Sequence, residues 1–224
     1  MTGHSDMRFA DSLRQLIAVP FDSTTYKRLL YLLLACPLAL VYVIGTTVGV
    51  SLGIGLAVTI IGFPILLATL LAVTSAAQLE AYLLRTCLDR DASPPKSLME
   101  LRVDLDDSEV SYLKAVQRFL VEPSTWASLG LVAVKSVFGF AAFIVLVAVA
   151  TVVPTLVAAP VLYDNPEFAY QVATYSVGTL PEAGGLAAVG VVLGLAALHL
   201  LNAFADLGGY LTASLLTTGN PAEV

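Results

Sequence analysis

His199, Asn202 and Asp206 stand at i, i+3 and i+7 in an apolar stretch, a spacing that puts all three on one face of a helix. An imidazole titrates near neutral pH, so such a face could sense protons or bind an ion. Lys135 and Glu80 border other long apolar runs. The five residues make a candidate intramembrane polar cluster, within which Lys135 and Asp206 are positioned to pair. Interhelical hydrogen bonding and snorkelling at an interface account for the same residues without any sensing chemistry, and this is the simpler reading.

Other chemistry is sparse. The second histidine, His4, lies in the polar N-terminal segment, and there is neither a phosphate-binding Gly-rich loop with its lysine nor a His-Glu-x-x-His zinc motif. Cys36 and Cys87 are too few and too far apart for a disulfide framework or a metal site and suit small apolar fillers. No catalytic residue, cofactor or metal is expected. Gly184-Gly185 and Gly208-Gly209 fit helix ends or close packing.

The elements that must position these residues are long and apolar. Between Arg28 and Glu80 the chain runs 51 residues without a charge. As one helix this would measure roughly 75 Å at ~1.5 Å per residue, against a hydrocarbon core of about 30 Å, so it must fold back. Ser136 to Tyr163 and Ala183 to Ala205 supply two further uncharged runs of 28 and 23 residues. The expectation is an all-α polytopic membrane protein with four transmembrane helices arranged as two hairpins. The 28 residues before the first run lack the short apolar core and small-residue cleavage site of a signal peptide, so the first span is expected to stay as an anchor. Glycines place the first hairpin's turn near Val50 to Gly55. Gly62-Phe-Pro64 then falls inside the second span, and Pro37, Gly62 and Pro64 are candidate kinks or hinges.

All eleven Lys and Arg residues lie at or before Lys135, either ahead of the first span or between the second and third of the four spans. The positive-inside rule puts both segments in the cytoplasm, and four crossings then return the C-terminus there, an N-in/C-in topology. Asp164 to Glu182 contains no basic residue and suits an external loop, with Tyr163, Asp164, Glu167, Tyr170 and Tyr175 as its candidate interface and solvent residues. The net charge of −6 and the run Asp104, Asp106, Asp107, Glu109 argue against nucleic acid as a partner and fit a high-salt cytoplasm. The segments expected are a cytoplasmic 1–28, a first hairpin over 29–79, a cytoplasmic connector over 80–128, a second hairpin over 129–216 with its external loop at about 160–183, and a cytoplasmic tail over 217–224.

Within the connector, Ser93-Pro-Pro95 breaks the chain, and from Ser108 onward Val110, Leu113, Val116, Phe119 and Leu120 recur at helical spacing as an amphipathic helix. Phe21-Asp-Ser-Thr-Thr-Tyr26 and Val121-Glu-Pro-Ser-Thr-Trp126, 100 residues apart, each lead into an apolar run. They suggest tandem hairpins that both start inside, although any two membrane entries share Ser/Thr caps and aromatic anchors.

The order Tyr26-Lys-Arg-Leu-Leu-Tyr31 through Pro37, then Ser51-Leu-Gly53-Ile-Gly55, Ile61-Gly62-Phe-Pro64, Gln78-Leu-Glu80 and, later, Trp126 and Ala159-Pro160-Val-Leu-Tyr163 resembles the putative sensor domain family. Members of that family are often found as the N-terminal membrane part of bacterial and archaeal histidine kinases. Ala81 stands where the family tends to have Arg, and Lys135 where it has an apolar residue. The resemblance spans roughly Phe21 to Leu216 and implies a non-enzymatic sensor in the cell membrane. No kinase sequence follows within the 224 residues, so its output is expected to pass through a separate protein partner, a kinase or regulator. Membrane lipid is the other expected partner and a homo-oligomer remains open. A small transport or channel-type subunit, with the His199 face lining a path, is the alternative.

Overall fold

The computed structural model describes residues 22–90, 94–106, 112–165, 171–172 and 175–219. Glu167 and Tyr170, Asp107 and Glu109, and the N-terminal segment through Phe21 lie outside the described residues. The described chain is helical apart from one minimal hairpin: α1 (Ser23–Gly55), α2 (Gly62–Leu88), α3 (Lys96–Asp106), α4 (Tyr112–Val121), α5 (Pro123–Leu162), β1 (Gln171–Val172), β2 (Tyr175–Ser176) and α6 (Leu180–Gly219). The strands pair antiparallel, Gln171 opposite Ser176 and Val172 opposite Tyr175.

Four helices, α1, α2, α5 and α6, are long and apolar enough to cross a membrane, with mean hydropathy from 1.7 to 2.6. Only 17–28% of each apolar window is buried, so most of these side chains face outward, as lipid-facing helices require. Hydroxyls within them bond to their own helix: Thr74 to Leu70 O, Ser136 to Val132 O and Thr212 to Gly208 O. That satisfies a polar group where water is absent.

The first turn lies at Leu56–Ile61, just beyond the expected Val50–Gly55, which stays helical. The glycines there serve contact: a Cβ on Gly49 would sit 2.2 Å from Thr69 Oγ1 and one on Gly53 2.4 Å from Leu66. Gly62-Phe-Pro64 opens α2 instead of interrupting it. A Cβ on Gly62 would lie 2.5 Å from the Leu56 carbonyl, which makes the tight turn depend on glycine. Pro64 falls in the first turn of α2, where its missing N–H costs no intrahelical bond. Pro37 stands inside the continuous α1, and Pro154 and Pro160 inside α5.

Caps mark the ends. Asp22 Oδ1 accepts from Thr24 N at 2.9 Å at the start of α1. Asp89 closes α2 in the left-handed region, φ 51°, a conformation that Asp tolerates better than most residues. Glu182 reaches back to the N–H groups of Gly178 and Thr179 at 3.2 and 3.3 Å, so it works as the acidic half of a capping box on α6.

The chain forms two compact units. One comprises residues up to Tyr26 with Ile144–Ala203; the other comprises Lys27–Phe143 with Phe204–Val224. In the first, α5 and α6 approach closely: a Cβ on Gly190 would lie 2.8 Å from Leu156 and one on Gly194 3.0 Å from Val153. Ala159, Val177 and Ala183 form its core, with Tyr163 and Leu186 packed against them. Asp164 is exposed.

In the second unit α1 and α2 form the hairpin, and the connector folds back along it. Leu101 of α3 and Ala115 and Phe119 of α4 pack on Leu67, Leu70 and Leu71 near the turn end of α2. The hydroxyl of Thr125 and the indole of Trp126 donate to Phe119 O and Leu120 O at 2.7 and 2.9 Å, occupying carbonyls that the end of α4 leaves free. As a result, α5 begins beside the turn-proximal half of α2. Tyr42 of α1 packs with Val132, whereas Ala35 and Ala39 lie against Gly139 and Tyr31 reaches Lys135. Numbering on α5 rises as that on α1 falls, so here α5 runs antiparallel to α1 and parallel to α2. The fold-back of α3 and α4 sets this direction of α5.

Candidate functional site

Helices α1, α2, α5 and α6 of the second unit converge on a buried ion pair. Glu80 of α2 and Lys135 of α5 are 2% and 3% exposed, with Nζ 2.8 Å from Oε2. The other carboxylate oxygen, Oε1, accepts from the Tyr42 hydroxyl at 3.1 Å. The ammonium donates to the Tyr31 hydroxyl and lies 4.7 Å from the centre of the Tyr31 ring and 5.2 Å from that of Phe138. Phe138 stacks on Phe204 of α6 at 4.9 Å and 14°.

Small residues make room for this arrangement. A Cβ on Gly139 would lie 2.4 Å from Ala35 O, and one on Gly208 would lie 2.5 Å from Phe138 and 3.0 Å from the Tyr31 hydroxyl. Ala77, Ala81, Leu84, Leu131 and Leu216 pack as an apolar cluster in the same unit. A lone buried charge costs several kcal/mol, so Glu80 and Lys135 are each tolerated because the other is present and because tyrosines complete their coordination. The network therefore runs as a chain of contacts, Tyr42–Glu80–Lys135–Tyr31, and leaves no room for a side chain at Gly208 of α6 beside the Tyr31 hydroxyl.

A second, more exposed cluster includes Asp206. Its carboxylate receives Arg28 Nη2 and Arg90 Nη2, each at 3.2 Å, while Lys27 pairs with Asp89 at 3.0 Å. The pairing of Lys135 with Asp206 that the sequence suggested is thus replaced by Lys135–Glu80 and by Arg28–Asp206–Arg90. Arg28 and Arg90 were not among the candidate residues; their signal was their position at the start of the first span and just past the end of the second.

His199 and Asn202 belong to the first unit. Asn202 Nδ2 donates to Thr25 Oγ1 at 3.2 Å, and the buried His199 Nε2 has no hydrogen-bond partner among the described residues. The five candidate residues thus divide into a buried pair, a member of a surface ion cluster and a helix face on which Asn202 bonds to Thr25. Among the described residues no group of three or more His, Cys, Asp or Glu side chains is placed to hold a metal. Cys87 is buried and Cys36 half-buried, both as free thiols.

No curated protein and no solved structure matches this chain. A family model described as Sensor, "Putative sensor", matches residues 31–216, a stretch that contains Tyr31, Tyr42, Glu80, Lys135 and Asp206. The match covers well over half of the sequence, and the chain belongs to the Putative sensor family.

Proposed function

We propose that this protein is a non-enzymatic sensor of the cell membrane whose output passes through a separate protein partner, a kinase or a response regulator. Family membership and four membrane-span-like helices support a sensor role. The observation that carries the reading is the buried Tyr42–Glu80–Lys135–Tyr31 network. It ties α1, α2 and α5 through an ion pair and two tyrosine hydroxyls in direct contact, so a shift of one helix disturbs the partners of the other two. Packed polar elements of this kind have discrete arrangements and can pass a stimulus along.

The transport alternative has less support. Glu80 and Lys135 neutralise each other, and the carboxylate and ammonium are both occupied by partners, which suits a structural relay better than an ion path.

The test is chemical crosslinking in native membranes followed by identification of co-purified proteins, with ion flux in liposomes carrying the purified protein as the second arm. Recovery of a kinase or response regulator, lost in a Glu80→Gln variant that is still inserted and folded, is the expected result. Ion flux above protein-free liposomes, with no signalling protein recovered, would overturn the reading.

A further inference from the structure

Beside the network, the α1–α2 hairpin opens laterally into a cavity of about 570 Å³, within the usual range for small-molecule sites. Its wall includes Leu38, Gly45, Ile65, Ala72 and Val132, and Tyr42 stands in it. The Gly49–Thr69 contact brings the two helices together near the turn. No charged side chain lines the cavity. The Thr69 and Ser75 hydroxyls on its wall donate to Ile65 O and Leu71 O, both at 2.8 Å, and the Tyr42 hydroxyl is held by Glu80.

We propose that this slot holds a hydrocarbon chain of a bilayer lipid, and that Tyr42 reports its occupancy to the Glu80–Lys135 pair. The slot is cut into two span-length helices whose outward residues, including Val41, Ile44 and Phe63, are apolar, so lipid is the medium at its mouth. An acyl chain is narrow, needs no hydrogen-bond partner and meets a wall that is mostly apolar, with the hydroxyls of Thr46, Thr69 and Ser75 and no charged side chain on it. A chain seated here touches the Tyr42 ring, and displacement of that ring pulls on the hydroxyl bond to Glu80. This assignment rests on the sensor reading for its meaning, but binding is measured without any signalling output, so either can fail alone.

The experiment uses the full chain in phospholipid nanodiscs containing a phosphatidylcholine with a diazirine on its acyl chain, photolysed and mapped by peptide mass spectrometry. Labelling is expected on slot residues of α1 and α2 as well as on the outward Val137. Gly45→Leu puts a side chain where an added Cβ meets nothing within 4 Å, and Ala72→Leu fills the slot from an exposed lining position. Each should lower slot labelling about tenfold and leave Val137 labelling unchanged. Gly130→Leu, also in open space, should change neither. Unchanged slot labelling in both filling variants would overturn the proposal, as would crosslinks between copies at the slot in place of lipid adducts.

Discussion

The two units solve the same problem with different chemistry. In a bilayer the solvent is as apolar as leucine, so helices need packing or polar contacts to associate. The first unit relies on close approach, with Gly190 and Gly194 of α6 seated on Leu156, Val157 and Val153 of α5, and adds a capping box and one amide–hydroxyl bond. The second unit buries a complete ion pair with two tyrosines and rings it with glycine contacts. Close packing is uniform and forgiving of small shifts. A buried charge pair is held in discrete arrangements, and this makes the second unit the place where a change of state is most sharply defined.

This contrast can be broken most severely at the pair itself. Lys135→Ala strands the Glu80 carboxylate in a dry interior and should cost about 3–5 kcal/mol, read as a loss of stability in bicelles. Next comes steric intrusion. Gly139→Val meets the Ala35 carbonyl and should cost about 1–3 kcal/mol, while Gly184→Val, in open space, should fall well below that in the same assay. In the first unit, Glu182→Ala removes the side-chain half of a cap and should cost about 1 kcal/mol, with hydrogen exchange increased at the first turn of α6. The smallest effect is expected at Asp206→Asn. Its ion pairs are partly exposed, so the loss should be under about 1 kcal/mol and should shrink further as salt is raised.

The four spans were legible because charge is excluded from lipid: the 51-residue run and its two successors mark α1, α2, α5 and α6 without any packing knowledge. The family was legible for a related reason, since glycine, proline and aromatic positions punctuate otherwise featureless apolar sequence. The turn was misplaced because Gly49 and Gly53 signal flexibility and close contact in the same letter, and only the facing Thr69 and Leu66 distinguish them. The partner of Lys135 depends on the direction of α5. That direction follows from α3 and α4 folding back onto Leu67, Leu70 and Leu71, a tertiary contact with no local signature. Glu182 looked like a loop acid because its role depends on Thr179 three residues earlier taking the N-cap of α6.

The account turns on Glu80 and Lys135 acting as one unit, and a double-mutant cycle measures that directly. Stability in bicelles would be compared for the parent, Glu80→Gln, Lys135→Met and the double variant. The predicted result is a large loss in each single variant and substantial recovery in the double, because removing both charges leaves nothing stranded. A double variant whose loss equals the sum of the two single losses would contradict it.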